Sequence, residues 1–205
     1  MHLPPPPSCT WEDVEDLLIA SAETDLYAGY TPLPTIAAFA GDEVVAFGVL
    51  RPFDDGGPVP PLVELLALLL PCEVDRIALL LPGRAWSLAD PVPPVCEDGD
   101  LRARVAVLIH ADGRQRPCVP HTRLLTVAAS EDGRGSRLVA AGVDTTEVEA
   151  PVVDALRILL DGRAAVVADT DTAELIAQLG RVLLLGHELA LSPQLTARLT
   201  LASAV

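Results

Sequence analysis

Two Asp-Gly-Arg triplets, at residues 112–114 and 132–134, divide the middle of the chain into three runs with strand character. Arg102 to Ala111, His121 to Ser130 and Arg137 to Val143 alternate or are rich in β-branched residues, and Asp-Gly is turn chemistry between antiparallel strands. An antiparallel meander is therefore the anchor around which the remaining segments are placed.

Upstream, Thr35 to Ala40 and Glu43 to Leu50 flank Gly41-Asp42 and predict a hairpin. Before it, Trp11, Val14, Leu18 and Ala22 recur at helical spacing behind Thr10 and Asp13, with Glu12, Glu15, Asp16, Glu23 and Asp25 on the other face. Pro61 opens a short apolar helix that Pro71 stops. Arg76 to Leu81 and Ala85 to Leu88 read as strands on either side of a Pro82-Gly83 turn, and Pro91 to Asp100 as a loop.

After Asp144 the period becomes helical. Pro151 starts one helix, whose stripe of Val152, Ala155, Leu156, Leu159 and Leu160 ends at Gly162, and Arg163 to Ala168 reads as a short strand. Asp171 and Glu174 cap the next helix, with His187-Glu188 just past its C-terminal end, and Ser192-Pro193 starts the last. The expected fold is α+β: a mostly antiparallel sheet, hairpin plus meander, flanked by an N-terminal helix, one inserted helix and C-terminal helices. Residues 1–9, with four consecutive prolines, are expected to form a disordered tail before a single domain over 10–205, with 146–205 as a potential helical appendage. Small regulatory domains of the roadblock or profilin kind share this coarse order of elements.

The chain contains no lysine, and Arg supplies all 14 cations. A guanidinium forms no Schiff base and is no amine nucleophile, so lysine-dependent chemistries are excluded in their usual forms. The net charge of −15 argues against nucleic acid and anionic membranes as partners. No stretch has the length of a spanning helix and the start lacks the pattern of a secretory signal, so a cytoplasmic protein is expected. Cys9, Cys72, Cys96 and Cys118 are widely spaced, which predicts free thiols.

The segment from Leu101 to Arg137 departs from the acidic whole. It carries seven Arg against three acids, a balance of +4, while the remainder stands at −19. Arg102, Arg104, Arg114, Arg116 and Arg123 are the candidate binding residues, because arginine pairs bidentately with carboxylate or phosphate. By the period of two, Arg102 and Arg104 share a strand face with Ala106, Leu108 and His110, opposite Val105, Val107 and Ile109, which form the expected core face.

Catalytic signatures are sparse. Val166 to Asp171 resembles the strand and Asp-x-Asp opening of haloacid-dehalogenase phosphotransferases, but Ala173 stands where that family has Thr or Val, and the segment reads as a strand exit and helix cap. His110, Cys118 and His121 are the one cluster with metal-ligand residue types, and they define the enzymatic alternative: acid, base or thiol groups, with or without zinc. No cofactor or metal site is expected. The leading expectation is a non-catalytic interaction or regulatory protein in a homo- or hetero-assembly, using the acidic helix and the Arg-rich sheet segment. Its partner would be a protein or a second copy, with a small anionic ligand as the other option.

Overall fold

In a computed structural model, residues 5–53, 57–85, 102–130, 133–145, 151–169 and 171–202 are described. The predicted tail from residue 5 and the 102–145 meander fall wholly or partly within these ranges, whereas the predicted Pro91 to Asp100 loop lies outside them, as do Trp86 to Leu88.

A seven-stranded antiparallel sheet forms the centre, in the order β6-β5-β4-β3-β1-β2-β7. The hairpin is β1 (Thr35–Ala40) and β2 (Glu43–Val49), with β3 (Arg76–Ala85) beside β1. The meander is β4 (Ala103–Asp112), β5 (His121–Ala129) and β6 (Ser136–Thr145), and β7 (Glu188–Leu191) closes the β2 side. The fold is α+β, as the alternation of strand and helix periods predicts.

Helix α1 (Val14–Tyr27) covers one face. Its stripe of Val14, Leu18, Ala22 and Leu26 packs on Ala37, Phe39, Ala78, Leu80, Ala106 and Leu108. The other face is buried beneath α2 (Val59–Leu69), α3 (Pro151–Asp169), α4 (Thr172–Leu184) and α5 (Pro193–Ala202), all of which contribute to one core with the sheet. Val152, Leu156 and Leu160 of α3 belong to that core, so the C-terminal helices are part of the layer and not peripheral to it. None of the described helices is long and apolar enough to cross a membrane.

The structure corrects four local expectations. Pro82-Gly83 is no turn: β3 runs through it, pairing Pro82 with Ala106 and Gly83 with Val105. The partner β1 reaches only to Leu80, so beyond that point β3 is an edge on its β1 side, where a strand tolerates a residue without N–H. Helix α3 likewise does not stop at Gly162, and Arg163 to Ala168 is helical. Two tertiary anchors hold it through the glycine, since Asp161 accepts from the Cys118 N–H at 2.9 Å and Arg163 donates to the Asp75 carbonyl at 3.4 Å. Glu188, expected just past a helix end, starts a strand. Finally, the face shared by Ala106 and Leu108 is as buried as that of Ile109, because α1 covers it.

Candidate functional site

Polar side chains concentrate at three places, and each treats its charges differently. The first lies where α2, the end of β2 and the start of β7 meet. Arg51 grips Glu64 with two parallel bonds, Nε to Oε2 and Nη2 to Oε1, both at 2.7 Å. His187, almost completely buried, accepts from the Arg51 N–H at Nδ1 (3.3 Å), which places its proton on Nε2, 3.1 Å from Glu64 Oε2. The Arg51 bonds hold the Glu64 carboxyl at about 2, with burial opposing and His187 adding. Burial lowers the His187 pKa below its ordinary value, partly offset by Glu64, so the ring is neutral near pH 7. Gln178 Nε2 donates to the Glu64 carbonyl at 3.0 Å and ties α4 to the same point. This knot is saturated.

The second place is under the N-terminal end of α1. Arg76 is 1% exposed, and its guanidinium lies 5.0 Å from the Trp11 ring and 5.6 Å from Phe39, the spacing of cation–π contacts. It donates to Asp42 Oδ1 at 2.9 Å and to the Gly41 carbonyl in the β1–β2 turn. His110 sits 5.5 Å from Trp11 and is the direct cross-strand partner of His121. Its pKa is lowered by burial and then by His121.

These positions separate the predicted catalytic trio. His110 belongs to the α1 side, whereas the Cys118 thiol is buried in the opposite core, and burial together with Asp161 and Asp112 pushes it up to about 11. The two histidines and the thiol do not converge on one point. Cys9, Cys72 and Cys118 are free thiols, and Cys72 is likewise raised to about 11 by burial. Among the described residues, no three His, Cys, Asp or Glu side chains are grouped to hold a metal ion.

The predicted arginines split into two groups. Arg114 and Arg116 follow the end of β4, whereas Arg104 lies near its start, about 27 Å away along eight residues of strand before the turn begins. Arg114 is closed on Asp112, with Nε–Oδ1 at 3.0 Å and Nη2–Oδ2 at 2.8 Å. Burial would raise Asp112, but these bonds outweigh it and lower the carboxyl. Arg123 pairs with Glu15, so the acidic helix and the basic strand meet within one chain. Glu23 of α1 similarly accepts from the Leu138 N–H at 2.9 Å.

The third place is the opposite end of the α1 face, where β3 and β4 extend past the helix. Arg84 and Arg104 are directly opposite each other in register there and line a 220 Å³ cleft. Thr31 and Pro32 form one wall, and Pro82, Val105, Val127 and Leu138 supply apolar surface. Arg84 also donates to the Arg102 carbonyl at 3.1 Å, which brings Arg102 to the same end of the sheet. The Arg104 guanidinium makes no ion pair or hydrogen bond with any described residue. Among the described residues, no Asp or Glu lines this cleft. Sequence reasoning missed Arg84, because a turn at Pro82-Gly83 takes it off the strand that faces Arg104.

A 280 Å³ cleft on the other face, between α2, α3 and α4, has a different character. Val63, Leu70, Leu159, Val166 and Leu175 line it, and its polar groups are Glu174 and Gln178, the latter engaged with Glu64. The cleft of Arg84 and Arg104 differs in setting guanidiniums beside its apolar surface. Comparison with protein-family models, curated proteins and solved structures finds no match to this chain.

Proposed function

We propose that this protein is a non-catalytic interaction module that docks an anionic surface of a protein partner at the arginine end of its sheet. The observation that carries the reading is the cross-strand register of Arg84 and Arg104 on a cleft that no described Asp or Glu lines. Like charges directly opposite on neighbouring strands repel, so an anion beside Arg104 would be favoured there. Bidentate geometry makes arginine well suited to receiving carboxylates. The closed pairs elsewhere support the same reading, because Arg51–Glu64–His187, Arg114–Asp112 and Arg123–Glu15 leave those groups engaged within the fold.

A hetero-partner is favoured over self-association. The acidic helix would be the natural donor of charge from a second copy, but Glu15 and Glu23 are spent in holding α1 to its own sheet. The test compares proteins that co-purify with the wild type and with R84Q/R104Q, after melting curves have established that both are folded. The reading expects a partner retained by the wild type at low salt, released near 0.5 M salt and missing from the variant, as rim charges act through screened encounter. A partner set unchanged by the substitutions would refute it. Light scattering that gives an Arg84- and Arg104-dependent dimer at low salt would move the partner's identity to a second copy.

A further inference from the structure

We infer that the segment over residues 5–12 is a pH-sensitive cover of the sheet: Trp11 stays seated on Arg76 and His110 while His110 is neutral, and protonation of His110 releases it without unfolding α1 or the sheet. The inference is independent of the docking reading above, because every group it uses lies at the other end of the α1 face.

His110 Nε2 is buried and has no hydrogen-bond partner. A neutral imidazole can bury one nitrogen that carries no proton, whereas an imidazolium has a charged N–H at both, and a buried charged donor without an acceptor is costly. The surroundings supply no such acceptor. On β3, Arg76 is an almost completely buried cation, with Asp42 and Asp75 against it at 2.9 and 3.8 Å. On β4 itself, Asp112 is closed on Arg114. On β5, His121 stands directly opposite, and Arg123 is paired with Glu15 of α1. In the covering segment Asp13 accepts from the Thr10 hydroxyl at 2.7 Å, and Glu12 is exposed. None of these carboxylates is bonded to the His110 ring, so a proton taken up there meets Arg76 and His121 without a counter-ion.

Trp11 is the part with most to lose. Its ring lies 5.0 Å from the Arg76 guanidinium, 5.3 Å from Phe39 and 5.5 Å from His110. Helix α1 has ties of its own, through buried Leu18, Ala22 and Leu26, the Glu15–Arg123 pair and the Glu23 bond to the Leu138 N–H. The segment ahead of it joins at Asp13, an N-cap that makes no side-chain capping bond, so its departure costs α1 little. Burial, and then His121, lowers the His110 pKa. The closed form is therefore complete above the ordinary histidine value of 6.5 and declines below it, because the opened site accepts a proton that the covered ring refuses.

Trp11 reports on its own seat. The chain has two tryptophans, so Trp86→Phe leaves Trp11 alone. Between about pH 7.5 and 5, its emission should move reversibly to longer wavelength and its quenching by acrylamide should rise, while far-UV circular dichroism stays native. His110→Gln should abolish the response. His121→Gln should shift its midpoint to higher pH, because the charge opposing protonation is gone. A signal that stays flat in the folded protein, a response that persists in His110→Gln, or a red shift that appears only together with loss of circular dichroism would overturn the inference. So would a midpoint that His121→Gln leaves in place or lowers, and this arm decides the matter if His110→Gln does not fold. If Trp86→Phe does not fold, fluorine NMR of the chain labelled with 5-fluorotryptophan reads the two rings separately.

Discussion

Arg51, just past the end of β2, and Arg104, near the start of β4, meet opposite fates. Arg51 is held by both oxygens of Glu64, which also receives His187, and the three link β2, α2 and the entry to β7. Arg104 faces another arginine, and no described acid lines the cleft beside it. Stability explains the first arrangement, since breaking a partly buried pair leaves a desolvated charge without compensation. It does not explain the second, where fold stability alone would favour an acid opposite Arg84. The difference separates an arginine that ties three elements together from one, Arg104, that makes no ion pair with a described residue.

The knot breaks most severely through the backbone beneath it. A Cβ on Gly48 would overlap the Glu188 carbonyl oxygen and come within 2.6 Å of Leu189 Cδ2, so Gly48→Ala must push β7 off β2. We expect a loss of about 3 kcal/mol, at the upper end for overpacked sites, or a melting temperature lower by roughly 6–12 °C for a domain of this size. Chemical denaturation gives the value directly, and a loss below about 1 kcal/mol would mean that β7 contributes little to the fold.

Removing the charge at the centre comes next. Glu64→Ala strips Arg51 and His187 of their shared acceptor and should cost about 2–3 kcal/mol, less than a fully buried pair because Glu64 is a quarter exposed. Glu64→Gln keeps an acceptor oxygen and should cost less than Glu64→Ala. Equal effects of the two would assign the stabilisation to packing instead of to the bonds.

Acid should loosen the knot in two stages. His187 has a folded pKa depressed below its ordinary 6.5, so the unfolded chain takes up a proton that the native ring refuses; its contribution is complete above that pH and declines below it. Glu64 is depressed from 4.5 to about 2, so its contribution is complete above 4.5 and is lost as pH falls toward 2. Melting curves across this range should show the lower stage reduced in Glu64→Gln and the upper stage reduced in His187→Gln. An upper stage that persists unchanged in His187→Gln would assign it to another group.

How far these features were legible in the sequence depends on how local their causes are. The hairpin and the meander were readable because period-two runs and Asp-Gly turns act within a few residues. The start of α4 was equally plain, and Asp171 Oδ1 does accept the Glu174 N–H at 2.8 Å. Strand β7 was hidden because its four residues are defined by pairing with β2, some 140 residues earlier. The continuity of α3 was hidden because Asp161 and Arg163 find their partners at Cys118 and Asp75. Of the candidate site, Arg104 was readable from composition and strand period, but its pairing with Arg84 required knowing that β3 passes straight through Pro82.

The smallest effect on the fold is expected where the largest effect on binding is proposed. Replacing Arg84 and Arg104 with Gln removes a like-charge contact, costs no ion pair with a described residue at Arg104 and gives up the exposed Arg84 bond to the Arg102 carbonyl, so stability should change by less than about 1 kcal/mol. The sign is set by competition. Relief of the Arg84–Arg104 repulsion stabilises, while a net charge made more negative by two increases self-repulsion in an already acidic chain. The first effect is local and acts between neighbouring strands, and the second is spread over the surface and screened by salt. Raising the ionic strength should therefore move the variant's melting temperature upward relative to the wild type until screening also removes the local repulsion. A loss of more than about 1 kcal/mol at any salt concentration would show that the two arginines hold the β3–β4 end together, and the contrast with Arg51 would disappear.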